Sequence, residues 1–329
     1  MVGLIEPLVA AAAVPALLAG WTAVRSRAIT RAFPPEGRFV PTRAGALHVV
    51  DHGEGPVPAV FLHGASGSTR AWRPALGDRR AALGRTLFLD RPGHGHSERR
   101  AGREAARLDH QAGAVVDTLD HAGIGRAVIV AHSWAGALAC RIALDHGDRV
   151  AGLVLLAPAT HPWPGGVHWY YRLAASPLAG PLFSWTLALP VGEAWLFSWT
   201  LALPVGEAWM RRSITGVFAP QSVEERYVEE AGIPLVLRPE QFMANAEDVA
   251  GLLAQVHAQA PRYGEIACPV TVISGDADSV VWTHLHSIGL ARDVPQTKLV
   301  VLPGVGHGPH HADPDRVVAE IAALQAAAA

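Results

Sequence analysis

An α/β fold is predicted, built on a mostly parallel sheet covered by helices on both faces. Short continuous apolar runs recur after residue 34: Val57 to Leu62, Thr86 to Leu89, Ala127 to Ala131, Gly152 to Leu156, Val270 to Ser274 and Leu299 to Leu302. Helical stretches such as Ala105 to Ala122 and Ala135 to Leu144 separate them. Strands that are apolar throughout, rather than alternating, are strands with both faces covered. The composition permits this, since 50% of the 329 residues are hydrophobic and only 17% are charged. Such a chain is neither disordered nor collagen-like. Its net charge of -2 leaves no basic footprint for nucleic acid. Cys140 and Cys268 read as buried or free thiols, without metal-ligand spacing.

Ahead of the sheet, residues 1–34 form a separate unit. Pro7 to Val24 is 18 residues without a charge, followed by Arg25, Arg27 and Arg31. Positive charge after the apolar run, with Glu6 before it, is the reverse of a secretory signal. The expectation is an N-terminal helix that anchors the chain to a membrane, with the rest on the cytoplasmic side. The alternative is an apolar helix packed on a soluble domain or on a second subunit. Pro34-Pro35 marks the hinge. Arg38 to Val50 then reads as a hairpin, and the alternating core as residues 35–160 and 263–329.

In open parallel sheets the ligand sits at the carboxyl ends of the strands, so polar residues just past each strand carry the chemistry. Ser133 follows the run Ala127 to Ala131 directly, and a helix starts at once. A strained strand-to-helix turn around a nucleophile needs small residues two before and two after it; Ala131 and Ala135 satisfy this. As an isolated feature Ser133 could equally be a helix N-cap. A serine nucleophile also needs a base, an orienting acid and an oxyanion hole. His307 follows the last strand in Gly304-Val305-Gly306-His307. Asp276 and Asp278 follow the preceding strand, and His63-Gly64-Ala65-Ser66 follows an earlier one. No carboxylate follows Leu156, so the acid comes from the later loop.

With these motifs in this order, the sequence resembles the α/β-hydrolase family over about Arg38 to Thr160 and Tyr263 to Gln325. The loop Asp90-Arg91-Pro92-Gly93-His94-Gly95-His96-Ser97 is part of that resemblance. The resemblance implies an α/β-hydrolase sheet with an inserted helical cap, here residues 161–262. It implies a triad of Ser133, Asp278 and His307, with Asp276 capping its turn. It implies an oxyanion hole made of the backbone N–H groups of Ala65 and Trp134. Family members that cleave haloalkanes or epoxides place a carboxylate at the elbow, so Ser133 argues for acyl chemistry. A serine carboxylesterase or small lipase acting on hydrophobic esters is therefore expected, without cofactor or metal. Other possibilities are a proline iminopeptidase-like aminopeptidase, with Glu193, Glu207 or Glu224 holding the amine, a carbon–carbon bond hydrolase, a perhydrolase, and a non-catalytic binding protein on the same fold.

The insertion contains six of the ten tryptophans, and a perfect duplication: residues 182–195 and 196–209 are identical. Fourteen residues are nearly four helical turns, with Pro190 and Pro204 breaking or kinking each copy. Leu173 to Gly192 has no charge. Such a segment can line an apolar substrate pocket, fill a cap core, or touch a membrane surface. His63, Trp163, Trp185 and Trp199 are the pocket candidates. His94, His96, His132, His310 and His311 take structural readings. The sequence does not specify an oligomeric state.

Overall fold

The computed structural model of the protein describes residues 5–189, 215–224 and 226–329, with side chains from residue 13 onward. Eight strands form one sheet: β1 (Arg38–Thr42), β2 (Gly45–His52), β3 (Ala59–Leu62), β4 (Thr86–Leu89), β5 (Ala127–His132), β6 (Val150–Leu156), β7 (Val270–Gly275) and β8 (Thr297–Leu302). Their spatial order is β1-β2-β4-β3-β5-β6-β7-β8. The β1–β2 hairpin is antiparallel and β2 pairs antiparallel with β4; every pairing from β4 onward is parallel. This is the fold expected from the apolar runs.

The helices that position the site are α1 (Ile5–Ala32), α2 (Leu108–His121), α3 (Ala135–Asp145), α4 (Trp169–Ala174), α5 (Ala179–Phe183), α6 (Pro239–Gln259), α7 (Ser287–Asp293) and α8 (Pro314–Ala328). Alternate residues of each central strand serve opposite faces. Val60, Leu62, Ile129 and Ala131 pack with α2 and α3, while Phe61, Val128 and Val130 pack with Trp72 and with Val317 and Ile321 of α8. Both faces are therefore core, which is why β3, β4, β6 and β7 are buried along their whole length.

The loop after β4 is built around a buried carboxylate. Asp90 accepts from His48 Nδ1 at 2.8 Å, Thr69 N at 2.6 Å and His96 N at 2.9 Å. Burial alone would raise its pKa, but these donors hold it below the ordinary carboxylate range. Gly95 sits against this carboxylate with φ +51, where any side chain would strike Asp90.

The anchor expected at residues 7–24 is not supported by the described residues. Among the described residues, no helix is long and apolar enough to cross a membrane. Helix α1 continues unbroken through Arg25, Arg27 and Arg31 to Ala32. The side chains of residues 7–12, within that apolar segment, lie outside the described residues. The helix docks on the insertion instead: Ile29 packs with Leu189, Leu235 and Leu237, and Arg238 donates to Thr30 Oγ1 at 3.0 Å. Residues beyond the hinge hold it too, since His96 Nε2 donates to the Phe33 carbonyl at 2.8 Å.

Within the insertion, the first copy of the duplication starts in α5 and runs through a π-helical turn, Ser184–Ala188, to Leu189. The remainder of it, the second copy, Pro190 and Pro204 lie outside the described residues.

Candidate active site

The elbow is formed by β5 and α3. Ser133 has φ +55, a left-handed conformation that a residue with a Cβ rarely adopts. The surroundings enforce it. Its N–H donates to the Leu156 carbonyl at 2.9 Å, and its carbonyl accepts from Gly136 N at 2.9 Å and Ala159 N at 3.0 Å. Ala131 and Ala135 are fully buried on either side, so the requirement for small residues is met by alanine. The N-cap reading of Ser133 fails, since no side chain caps the start of α3. Its hydroxyl points elsewhere.

Ser133 Oγ donates to His307 Nε2 at 2.8 Å, and His307 Nδ1 donates to Asp278 Oδ2 at 2.7 Å. The second oxygen of Asp278 accepts from Val280 N at 2.8 Å and Val281 N at 2.9 Å. Burial pushes the Asp278 carboxyl up, but the His307 bond and charge and the two amides outweigh it, leaving its pKa lowered. Asp276 is exposed and accepts from Gly304 N at 2.6 Å, joining the β7 and β8 loops. Thus Asp278, not Asp276, meets the imidazole.

The loop after β3 lies against the elbow because β3 and β5 are neighbours in register, Leu62 opposite Ala131. A Cβ on Gly64 would stand 3.0 Å from Ser133 Cβ, so glycine permits the approach. Ser66 N donates to Asn245 Oδ1 at 2.7 Å, which fixes the loop from α6. Ala65 and Trp134 both border a cavity of about 690 Å³ that opens on Ser133. Among the described residues, neither backbone N–H has a hydrogen-bond partner.

That cavity is mainly apolar, walled by Trp163, Val249, Leu252, Val281 and Trp282. Of the pocket candidates, Trp163 lines it. His63 does not: it is buried behind the loop, with Nδ1 donating to the Gly64 carbonyl at 2.8 Å and Nε2 accepting from Arg91 N at 3.0 Å. Trp185, half-buried in the π-helical turn, is not among the lining residues either. Trp199 lies outside the described residues. His132 packs beside the base, its Nε2 donating to the His307 carbonyl at 3.0 Å.

A model of the Alpha/beta hydrolase family matches residues 59–320. The chain belongs to this family. Haloalkane dehalogenase 2 of Mycobacterium tuberculosis is 27% identical over 299 residues, covering 88% of this chain and 94% of that protein. An acetyltransferase component of the acetoin cleaving system of Pseudomonas putida is 39% identical over 110 residues, and this chain spans only 28% of it. Among solved structures, a thermophilic esterase from Thermogutta terrifontis superimposes with TM-score 0.62 at 20% identity, covering 87% of this chain and 96% of that one.

In this α/β-hydrolase, a buried ion pair that the sequence reading missed stands behind the site. Arg91 is fully buried, and its Nη1 reaches Asp248 Oδ2 of α6 at 2.5 Å. The same guanidinium donates to the His63 carbonyl at 3.0 Å and the Gly64 carbonyl at 3.2 Å, and lies 4.0 Å from the Trp134 ring centroid. Asp248 also pairs with Arg99, and its carbonyl accepts from Trp134 Nε1 at 3.0 Å. One pair thus holds both segments that present the Ala65 and Trp134 amides. The available signal was Asn245 and Asp248, three apart on one face of a helix. Asp248→Ala strands the Arg91 charge and is expected to cost about 4 kcal/mol of stability, whereas Arg91→Met/Asp248→Leu together cost less than that single change. Urea unfolding checks this; a loss below about 1 kcal/mol for Asp248→Ala would contradict it.

Proposed function

We propose that the protein is a serine hydrolase that cleaves carboxylic esters with hydrophobic acyl or aromatic groups. The reading rests on one observation: the Ser133 hydroxyl, hydrogen-bonded in series to His307 and Asp278, opens on a tryptophan- and valine-lined cavity. His307 takes the Ser133 proton as Oγ attacks the ester carbonyl. Asp278 accepts from Nδ1, holds the imidazole in the tautomer that leaves Nε2 free, and stabilises the imidazolium. The Ala65 and Trp134 amides stabilise the tetrahedral oxyanion; such a donor contributes about 3 kcal/mol. His307 then protonates the departing alcohol. Water, deprotonated by the same nitrogen, hydrolyses the acyl-enzyme and restores Ser133.

The nucleophile argues against the chemistry named for the dehalogenase relative. A carboxylate nucleophile forms an ester that water can open at its carbonyl. A serine alkylated by a haloalkane would form an ether with no such carbonyl. An aminopeptidase reading needs an acid near the substrate amine, and no Asp or Glu lines the cavity among the described residues; Glu193 and Glu207 lie outside them. The deciding experiment is a panel of p-nitrophenyl esters from acetate to palmitate, run beside proline β-naphthylamide. Short or medium acyl chains are expected to be turned over fastest. Turnover of the proline amide alone, or of nothing, would overturn the proposal.

A further inference from the structure

His286, just ahead of α7, borders the cavity that otherwise presents mainly apolar walls, and it plays no part in the mechanism above. Its Nδ1 lies 3.2 Å from Thr160 N and 3.0 Å from His161 N. Both are backbone N–H groups, which can only donate. Nδ1 is therefore the acceptor nitrogen, and the hydrogen of the neutral ring is on Nε2. Among the described residues Nε2 has no partner. A protonated ring would set an Nδ1–H against two other N–H groups, and burial, then His161, pushes its pKa down to about 4. The ring stays a neutral donor at ordinary pH.

Its position is rigid. Tyr263 Oη donates to the Thr160 carbonyl at 2.6 Å, Thr160 Oγ1 donates to the His286 carbonyl at 3.0 Å, and His161 Nε2 pairs with Asp293 at 2.9 Å. The Trp163 ring, also in the cavity wall, is 6.0 Å away between centroids. A fixed, unpaired donor in an apolar wall is what discriminates a substrate oxygen from a methylene.

We propose that His286 Nε2–H is a specificity-determining donor, selecting esters that carry a second acceptor oxygen, such as a keto group, a few bonds from the scissile carbonyl. This rests on the cavity being the ester site proposed above. Two isosteric pairs test it: methyl 4-oxopentanoate against methyl pentanoate, and 3-oxobutyl acetate against butyl acetate. They place the oxygen on the acyl and the alcohol side. Wild type should favour the keto member of one pair by about tenfold in kcat/KM, the worth of one well-made hydrogen bond. His286→Asn keeps an oxygen for the Thr160 and His161 amides and removes the N–H from the position of Nε2. Because the shorter asparagine NH2 does not reach the place of Nε2–H, it should bring that ratio close to one, with the plain ester changed less than about threefold. Equal wild-type rates in both pairs, or a ratio that survives His286→Asn, would overturn the assignment. A fall of both members together would mark His286 as structural and do the same. Affinities of Ser133→Ala and Ser133→Ala/His286→Asn for the four esters, read by tryptophan fluorescence, separate the two proposals. A keto preference in binding that His286→Asn abolishes, without turnover by wild type, retains the donor and removes the esterase reading.

Discussion

Replacing Ser133 by alanine is expected to lower kcat on p-nitrophenyl butyrate by about 10⁵, because Oγ is the atom that forms the acyl-enzyme in the proposed mechanism. The fold should be unaffected, since the strained turn is held by backbone bonds to Leu156, Gly136 and Ala159 rather than by the hydroxyl. Alanine also fits wherever serine fits at φ +55. Circular dichroism and the urea midpoint should therefore match wild type. Asp278→Asn should cost about 10⁴, because an amide in that place can present N–H to Nδ1 and favour the wrong tautomer. Asp276→Asn should change kcat less than about threefold, since an asparagine oxygen still accepts from Gly304 N. Wild-type turnover by Ser133→Ala, or a larger loss at Asp276 than at Asp278, would move the catalytic residues elsewhere.

The central strands were legible because each is a short, mainly apolar run without a charged residue, and Thr86–Leu89 is found as read. Others differ by one or two residues at their ends, where polar neighbours such as His132, Thr297 and Lys298 still pair in the sheet. Loops at strand ends were legible for a related reason: glycines and a lone polar residue after an apolar run have few alternative uses. For the N-terminal segment, absence of charge over 18 residues did not show that it docks through its later residues, Ile29 and Phe33, while Val14, Leu17, Trp21 and Val24 stay exposed. His63 misled because a residue beside an oxyanion loop can face the substrate or lie behind the loop, and only tertiary contacts with Arg91 decide it. Asp248, Asn245 and His286 act through contacts with residues more than 100 positions away, such as Arg91, Ser66 and Thr160. No local pattern announces a partner at that distance.

Stability should collapse between pH 6.5 and about 5, and the histidines are the reason. Eight have pKa values below their ordinary value of 6.5 because burial opposes their charge, and six of these, other than His52 and His96, are shifted far. His132 is pushed to about 3, with His307 adding to the effect. His286 and His311 are pushed to about 4. His63 and His94, both facing Arg91, and His310, beside His311, are lowered well below it. Three of them, His132, His310 and His311, form a chain of rings 4.5 Å apart next to His307, so protonating one penalises the others. A folded pKa below the unfolded one means that the folded chain binds fewer protons. Its contribution to stability is complete above about 6.5 and is lost as pH falls toward the folded value. Asp90 and Asp278 have the same sign, but titrate at lower pH. By pH 5 each histidine removes about 2 kcal/mol, so six together rival the 5–15 kcal/mol that typically holds a protein folded. Urea unfolding at several pH values should show a slope of several protons below pH 6.5. His310→Phe should reduce that slope by about one proton, since its ring leaves no nitrogen to charge. Unchanged stability from pH 7.5 to 5 would mean that the buried histidines gain protons without unfolding the core.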